Sequence, residues 1–446
     1  MKKSESFTSS CRALQSQDGQ VLVWMALLMV SLLGLAALVV DLGHAFFCYR
    51  ELQGSSNASA LAGAVSLPAT TAIAAATVYS SAPGGKNVYS NLPGVTMAPG
   101  YPQLVCLATV TSEGTPCAAP SNANAIIVRQ QATVPMLFAM VLGHNTLAIA
   151  TTATAAMKGA INLAIILDTT ASMNSTDSAS NCNNTRLSCA LAGIQTLLGT
   201  LPASVDTVSL FTFPNVTTAT ASNDYNCGGG APAIDPYTFP SAAATTYAPT
   251  TDTYQIVSFS SNYKGSSSNL VSAIGGKSGC AGVQAPGGEG TYYAGAIYGA
   301  QAALLAEQAA NPGSQNVLVM LSDGDANAIS AHMPGASTTS GVYPSTANQC
   351  QQAVAAAQAA AAAGTSVYSV AYGAKATGCS TDSGITPCQT MEGIASSPSN
   401  FFSDYTATGG SSTCISASSP ASDLQSIFTK IGKNLSITRL IPNGTP

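Results

Sequence analysis

The chain has 446 residues, enough for two or three domains and at least one sizeable hydrophobic core. Charged residues make up only 7% of it, with 14 Lys and Arg against 19 Asp and Glu, so the formal net charge is −5. A surface so poor in cations carries no basic stripe, which argues against nucleic acid as a partner.

An unbroken apolar run, VLVWMALLMVSLLGLAALVV, occupies residues 21–40 near the N-terminus. Its length suits a helix that crosses a bilayer. Lys2, Lys3 and Arg12 precede the run, whereas only Arg50 follows it closely. The positive-inside rule therefore predicts that the N-terminus stays in the cytoplasm and that the rest of the chain is exported.

The alternative interpretation of this run is a cleaved signal peptide. The run is longer than the usual apolar core of a signal peptide, and the best cleavage-like site, Gly43-x-Ala45, is poor. We therefore predict a cytoplasmic segment at residues 1–19 and an uncleaved transmembrane helix at residues 20–41.

The region after the span is predicted to form a small pilin-like α+β unit, at residues 42–158. Residues 41–64 contain no proline and continue the membrane helix outward as one rod, until a Pro/Gly/Ser-rich stretch breaks it. The elements predicted beyond it are strands at 103–111, 125–132 and 146–155 and a short helix at 134–142.

This N-terminal part resembles TadG-like proteins of the tight-adherence (Tad, Flp-type) pilus assembly system. The matching features are the V-D-x-G pattern at residues 40–43, Leu52-Gln53, the alanine-rich run at 58–62 and the later segment VPMLFAMVLGHNTLAIATTATA. The resemblance implies a single-pass protein of the bacterial inner membrane, with periplasmic or extracellular domains. It also implies other Tad pilus proteins as partners.

Ten of the twelve cysteines lie beyond residue 100, in polar, loop-like surroundings. None forms a C-x-x-C pair, and three histidines are too few to complete a zinc site. This pattern predicts disulfides and an oxidising compartment. Two pairs that lie close in sequence, Cys106 with Cys117 and Cys379 with Cys388, are the easiest to imagine, although sequence alone leaves the connectivity open.

Two short apolar runs, NLAIIL at 162–167 and NVLVML at 316–321, suit strands that are buried on both faces of a parallel sheet. Each is followed closely by a carboxylate, Asp168 after the first and Asp323 after the second. Because ligands of open α/β sheets sit at the carboxyl ends of the strands, we expect these two acids to converge.

Hydroxyl side chains accompany the two acids. Thr170 and Ser172 follow Asp168 at alternate positions, and Thr291 opens a helical-looking run. Either half of the pattern could arise by chance or cap a helix. Together they predict an all-oxygen site for a hard cation, Mg²⁺ or Mn²⁺, at Asp168, Thr170, Ser172, Thr291 and Asp323.

This ordered set resembles the metal-ion-dependent adhesion site (MIDAS) of von Willebrand factor A (vWA) domains. The resemblance implies a doubly wound, mostly parallel sheet with flanking helices at residues 160–446. It also implies a cation held directly by Ser172, Thr170 or Thr291, with Asp168 and Asp323 acting directly or through water. A partner's carboxylate would complete the shell. TadG-like proteins commonly carry such a domain, so the two resemblances support one another.

The remaining elements of this domain alternate between helix and strand, apart from a long insertion at about residues 215–288. They are predicted as a helix at 189–201, a strand at 204–213, helices after Thr291 and at 348–363, a strand at 365–371 and a closing helix at 424–435.

The insertion is rich in Gly, Pro, Ser, Thr and Tyr and ends just before Thr291. A flexible loop is one interpretation. A disulfide between Cys227 and Cys280 would instead order it, and we favour a role in partner binding because aromatic side chains supply contact area. The side chains proposed for that role are Tyr225, Tyr237, Tyr247, Tyr254 and Tyr263.

Three classes of function compete at this point. The pattern favours a membrane-anchored adhesion or assembly protein that grips a partner through a cation. The alternative is a scaffold or minor pilus component whose metal only braces loops. We predict that the protein is not an enzyme, because neither His144 nor His332 follows a strand end beside a nucleophile.

Overall fold

The computed structural model describes residues 18–67, 70–112, 117–157, 159–179, 182–201, 207–216, 235–244, 246, 254–285, 287–420, 423–435 and 438–445. The basic residues that precede the apolar run lie outside these ranges, as do Tyr225, Tyr247 and Cys227.

A single helix, α1 (Asp18–Val65), begins the described chain and confirms the predicted rod. Its 48 residues extend about 70 Å at 1.5 Å per residue. The apolar side chains in its first half are exposed. Within the described residues, this helix is long and apolar enough to cross a membrane.

The C-terminal half of α1 packs on an antiparallel sheet, together with α2 (Thr71–Val78) and α3 (Ala108–Ser112). The strands of this sheet are β1 (Thr96–Met97), β2 (Gln103–Val105), β3 (Ala125–Pro135), β4 (Thr146–Ala156) and β13 (Arg439–Ile441). Their order is β1-β3-β4-β13, and β2 pairs with β3.

Small side chains let α1 approach this sheet closely. Ser56 and Thr151 hydroxyls hydrogen-bond at 2.8 Å across the interface, and Ser55 lies 3.3 Å from the side-chain carbonyl of Gln130. A Cβ at Gly63 would lie only 2.7 Å from Cδ1 of Ile126. The alanine-, serine- and glycine-rich composition of this half of the helix therefore reflects helix–sheet packing.

Two predicted elements of this region need correction. The strand expected at 103–111 ends at Val105, because the chain turns into α3. The helix expected at 134–142 is shorter, a 3-10 turn at Ala139–Leu142, because β3 continues to Pro135 by pairing with β4.

The larger part of the chain forms a six-stranded sheet. Its strands are β5 (Ile161–Asp168), β8 (Thr207–Phe213), β9 (Gln255–Ser260), β10 (Gln315–Ser322), β11 (Ser366–Tyr372) and β12 (Phe401–Asp404). They lie in the order β12-β11-β10-β5-β8-β9, and all neighbouring strands are parallel except β9, which runs antiparallel to β8 at one edge. A short hairpin joins β6 (Thr176–Asp177) to β7 (Asn184–Thr185).

Helices cover both faces of this sheet, which explains why β5 is apolar without alternation and buried at every position. The helices are α4 (Arg186–Thr200), α5 (Asn269–Ala273), α6 (Ala294–Ala310), α7 (Gln349–Ala362), α8 (Pro387–Ile394) and α9 (Leu424–Leu435). The core on one face of the sheet includes α4 and α9, and the core on the other face includes α6, α7 and α8. Further 3-10 turns lie at Ala171–Asn174, Ser330–His332 and Pro398–Asn400.

After the last helix of the larger domain, the C-terminal strand β13 returns to the N-terminal sheet and pairs with β4. Asn443 reinforces this return, because its side-chain amide donates to the carbonyl of Thr152 at 2.9 Å. Residues 439–441 fall within the predicted larger domain at 160–446, but they form a strand of the smaller sheet.

Candidate metal centre

The site lies where the two central strands of the larger sheet end. β5 and β10 are parallel neighbours, and Leu167 pairs with Leu321. Asp168 and Ser322 are therefore adjacent, and the Ser322 hydroxyl donates to Oδ2 of Asp168 at 2.8 Å. Asp168 is completely buried.

The loop after β5 folds back onto the Asp168 carboxylate. The backbone N–H and the hydroxyl of Thr170 both donate to Oδ1, at 2.9 and 2.6 Å. The Thr170 hydroxyl lies 3.2 Å from that of Ser172 and 3.4 Å from that of Thr291. Four of the five predicted site residues thus form one hydrogen-bonded chain.

Thr291 is held by the loop that follows β10. Its N–H donates to the side-chain carbonyl of Asn327 at 2.9 Å, and the Asn327 N–H returns a bond to the Thr291 carbonyl at 2.8 Å. Gly290 has a φ of +72°, and a Cβ there would lie 2.9 Å from both the Asn327 carbonyl oxygen and Cα of Ala328. Only glycine fits this approach.

The fifth residue, Asp323, lies near a positively charged side chain from another part of the fold. Its Oδ2 lies 3.7 Å from Nη1 of Arg186, at the start of α4. The other end of the guanidinium, Nη2, donates to the Thr408 carbonyl, and the group lies over the Tyr372 ring. Arg186 is only 8% exposed, and its Nε has no partner among the described residues.

The sequence interpretation missed both Arg186 and Asn327. For Asn327, the available signal was its position four residues after Asp323, in the same post-strand loop. For Arg186, it was a rare cation at the start of the first helix after the Asp168 loop.

These groups border a polar cleft of about 390 Å³. Its walls include Thr170, Ser172, Thr291 and Asp323, together with Arg186 and the exposed Lys375. Asp168 lies behind this wall. The cleft therefore presents hydroxyl and carboxylate oxygens at an opening that solvent can reach.

Burial raises the pKa of Asp168, and the nearby charge of Asp323 raises it further. Burial also raises the pKa of Asp323, although Arg186 opposes this shift. Two close carboxylates that resist simultaneous ionisation would gain from an added positive charge. The donor set is entirely oxygen, so the residues fit a small hard divalent cation.

Glu289 is a further buried acid next to this site. It precedes Gly290 and Thr291 and is completely buried. Burial raises its pKa. When ionised, Glu289 adds negative charge behind the Thr291 loop.

The cysteine pairing agrees with one predicted disulfide and corrects another. Cys106 pairs with Cys117, as predicted. Cys379 pairs with Cys350 rather than Cys388, because Ser380 donates two bonds to Asp325 and thereby brings this loop beside the start of α7. The described disulfides in the larger domain are Cys182–Cys189, Cys350–Cys379 and Cys388–Cys414. Cys280 is also disulfide-bonded, whereas its predicted partner Cys227 lies outside the described residues.

The described parts of the insertion contribute to the core. It supplies β9 to the sheet edge and α5 to one core. Tyr237, Tyr254 and Tyr263 are buried rather than displayed, because the first two pack into one core of the larger sheet and Tyr263 packs into the other. Tyr237 also donates its hydroxyl proton to the Gly290 carbonyl, next to Thr291. Tyr237 therefore supports the site, and none of these three buried tyrosines forms a contact surface.

Comparison with known proteins identifies the N-terminal segment. Residues 19–66 match the Flp pilus-assembly TadE/G-like family. The match confirms the pilus resemblance for this TadE/G-like segment, which comprises most of α1. No curated protein matches the chain.

Several solved structures are similar at low identity. The open conformation of the pilus adhesin SpaC from Lactobacillus rhamnosus GG has 13% identity and a TM-score of 0.39. The match covers 72% of this chain and 35% of the SpaC chain. The vWF domain of the type V pili tip protein Mfa5 from Porphyromonas gingivalis has 12% identity and a TM-score of 0.32, covering 64% and 97%. The PilB minor pilin from Streptococcus sanguinis has 14% identity and a TM-score of 0.31, covering 70% and 75%.

Arg186 is expected to weaken cation binding at this site. Arg186→Met removes a positive charge 3.7 Å from Asp323, so we expect affinity for Mg²⁺ or Mn²⁺ to rise about tenfold, roughly 1.4 kcal/mol. Calorimetry on the full-length protein measures this change. Lys375→Met is the matched control, because Lys375 is exposed and its charge is screened. A fall in affinity for Arg186→Met would mean that Arg186 mainly positions Asp323.

The raised pKa values of Asp168 and Asp323 predict how the stability of the protein depends on pH. The sign of this dependence should differ between the metal-free and the metal-bound protein. The folded pair binds protons more tightly than the unfolded chain, so metal-free protein loses stability as pH rises from about 4 through the raised pKa range. Cation affinity should rise over the same range, because protons compete with the metal. Thermal unfolding with chelator and with Mg²⁺ tests both signs.

Asp168→Asn is the control for this pH experiment, because the amide cannot titrate. It should flatten the slope that is measured in chelator. An unchanged slope in this variant would assign the pH dependence to other groups, such as Asp404, whose pKa burial raises to about 6.

Proposed function

We propose that this protein is a membrane-anchored, exported component of a Tad (Flp) pilus assembly or adhesion system. In this proposal its larger domain is of the doubly wound vWA type. It binds a partner protein through a divalent cation, Mg²⁺ or Mn²⁺, held by Asp168, Thr170, Ser172, Thr291 and Asp323. The N-terminus is cytoplasmic, the anchor crosses the inner membrane, and the remaining domains are periplasmic or extracellular.

One observation carries this proposal. Three loops that are distant in sequence bring three hydroxyls, the buried carboxylate of Asp168 and the partly exposed carboxylate of Asp323 to the ends of two adjacent parallel strands. The TadE/G-like match at residues 19–66 supports the pilus context.

A bound cation supplies positive charge that can accept a carboxylate oxygen from an acidic partner side chain. The residues of this chain have distinct tasks around it. Thr170, Ser172 and Thr291 present hydroxyl oxygens, and Asp168 keeps the Thr170 hydroxyl in place through a 2.6 Å bond. Asn327 fixes the position of Thr291 through two hydrogen bonds to its backbone, one accepted from the N–H and one donated to the carbonyl.

A scaffold role is the second candidate. It is favoured by the bonds that Asp168 already accepts from Thr170 and Ser322, which join the loops after β5 and β10 without a cation. If the metal only braces loops, its removal should lower stability while partner binding survives in the folded protein.

Capture with full-length protein in nanodiscs tests the proposed function. The immobilised protein is exposed to pilus and surface fractions with Mg²⁺, with chelator, and with Mg²⁺ restored. Reversible loss of the captured partner in chelator, while far-UV circular dichroism stays unchanged, is the expected result. Capture that is unaffected by chelator in metal-free, folded protein would refute cation-dependent binding.

The site variant for this assay is Ser172→Ala, which removes one hydroxyl from the cleft wall. Glu392→Gln is the matched control, because Glu392 is exposed and does not line the cleft. Capture should fall for the first variant and remain for the second.

A further inference from the structure

The turn between β3 and β4 exposes a cluster of large apolar side chains. This apolar tip consists of Leu137, Phe138, Met140, Val141 and Leu142. Val141 and Leu142 are 84% and 82% exposed, and residues 136–143 contain no charged side chain. Hairpin turns usually carry polar residues, glycine or proline, and contiguous exposed apolar side chains mark a surface that is covered by something else.

The position of the tip along α1 follows from three contacts of the helix, two with β3 and one with the turn after it. Gly63 lies against Ile126, the Ser55 hydroxyl lies 3.3 Å from the Gln130 side chain, and Asp41 binds the N–H of Leu137. The strand therefore runs antiparallel to the helix. Its end reaches the helix at the first residue after the apolar run 21–40.

Asp41 fixes the tip at this height. Its buried carboxylate accepts bonds from three consecutive backbone N–H groups, those of Leu137 at 2.8 Å, Phe138 at 3.1 Å and Ala139 at 2.6 Å. Three charge-assisted bonds to one carboxylate hold the turn against the helix. The tip is thus attached to the end of the candidate membrane span.

We propose that the apolar tip inserts into the phospholipid interface of the same membrane that α1 spans, on its exported side. This inference rests on the membrane anchoring in the proposed function. The exposed apolar side chains of α1 between Leu35 and Val40 end next to Asp41, the residue that holds the backbone of Leu137 and Phe138 in the tip. A bilayer that covers the helix up to Asp41 therefore meets the tip.

Insertion gives the tip a second role. Together with α1 it forms a two-point attachment, which sets the orientation of the N-terminal sheet relative to the membrane. Because β13 pairs with β4 of the same hairpin, the larger domain is connected to this sheet through backbone hydrogen bonds.

Tryptophan fluorescence in brominated lipid tests the proposal with the full-length chain. Trp24 is the only tryptophan, so the double variant Trp24→Phe/Val141→Trp reports on the tip alone. The protein is reconstituted at low protein-to-lipid ratio in phosphatidylcholine vesicles with or without bromine on the acyl chains. We expect the emission from position 141 to shift to the blue and to lose intensity in the brominated vesicles.

Two controls separate the tip from the anchor. Wild-type Trp24, inside α1, must lose intensity if the helix spans the bilayer. Trp24→Phe/Val342→Trp places the reporter at a 44% exposed position in the larger domain, where bromine should have no effect.

Quenching at position 24 but not at 141 overturns the tip proposal and leaves the anchor intact. A blue shift at 141 without quenching also overturns it, since a protein then covers the tip. Quenching at 342 as well as at 141 would indicate nonspecific adsorption and contradict the proposal. Absence of quenching at 24 refutes the anchor itself and, with it, this inference.

Discussion

Replacing both Asp168 and Asp323 with asparagine is expected to abolish binding of Mg²⁺ or Mn²⁺ at millimolar concentrations. Asparagine preserves the size of each side chain, and at position 168 its one acceptor oxygen can keep the two bonds from Thr170, whereas the Ser322 hydroxyl can accept from the amide instead. It removes the negative charges that attract the cation. At an effective dielectric constant of about 20, one close pair of unit charges contributes about 4 kcal/mol. The double variant should therefore lose more than about a hundredfold in affinity.

Calorimetry on full-length protein, with metal content checked after dialysis, measures this loss. Glu392→Gln is again the matched acid control, since Glu392 is exposed and lies outside the cleft lining. Thermal unfolding provides a second readout, because Mg²⁺ should raise the melting temperature of the wild type but not of the double variant. Unchanged cation binding in the double variant would show that the cation is held elsewhere.

The second large effect is expected at the closing helix of the larger domain. Phe428 on α9 is completely buried and packs on Gly193 of α4, where a Cβ would collide with its ring. Phe428→Ala leaves a cavity between the two helices. We expect the free energy of unfolding to fall by about 3–5 kcal/mol.

Thermal unfolding of the full-length protein in detergent, followed by circular dichroism, measures this destabilisation. Ile329→Ala is the control, because Ile329 is 56% exposed and should change stability by no more than about 0.5 kcal/mol. A similar small change for Phe428→Ala would mean that α9 contributes little to the core.

The first residue of helix α4 connects this packing to the cation site. Arg186 begins the same helix whose Gly193 receives Phe428. Loosening α9 should therefore disturb the position of the guanidinium beside Asp323. Cation affinity measured on Phe428→Ala below its melting temperature provides a direct check of that coupling.

Local patterns in the sequence determined several features of this protein. The apolar run followed by an alanine- and serine-rich stretch predicted one long helix, because helix propensity and periodicity act over a few residues. Continuous apolar runs predicted β5 and β10 as buried parallel strands, and the residues that follow them predicted where Asp168 and Asp323 would meet.

Only the tertiary structure decided which distant groups complete these elements. Arg186, Asn327 and the pairing of Cys350 with Cys379 depend on loops that meet across the end of the sheet. The burial of Tyr254 and Tyr263, and the return of β13 to the N-terminal sheet, depend on chain crossings that no local pattern encodes. The physical reason is that propensity and periodicity are local, whereas burial, charge pairing and strand addition are set by contacts between segments far apart in the chain.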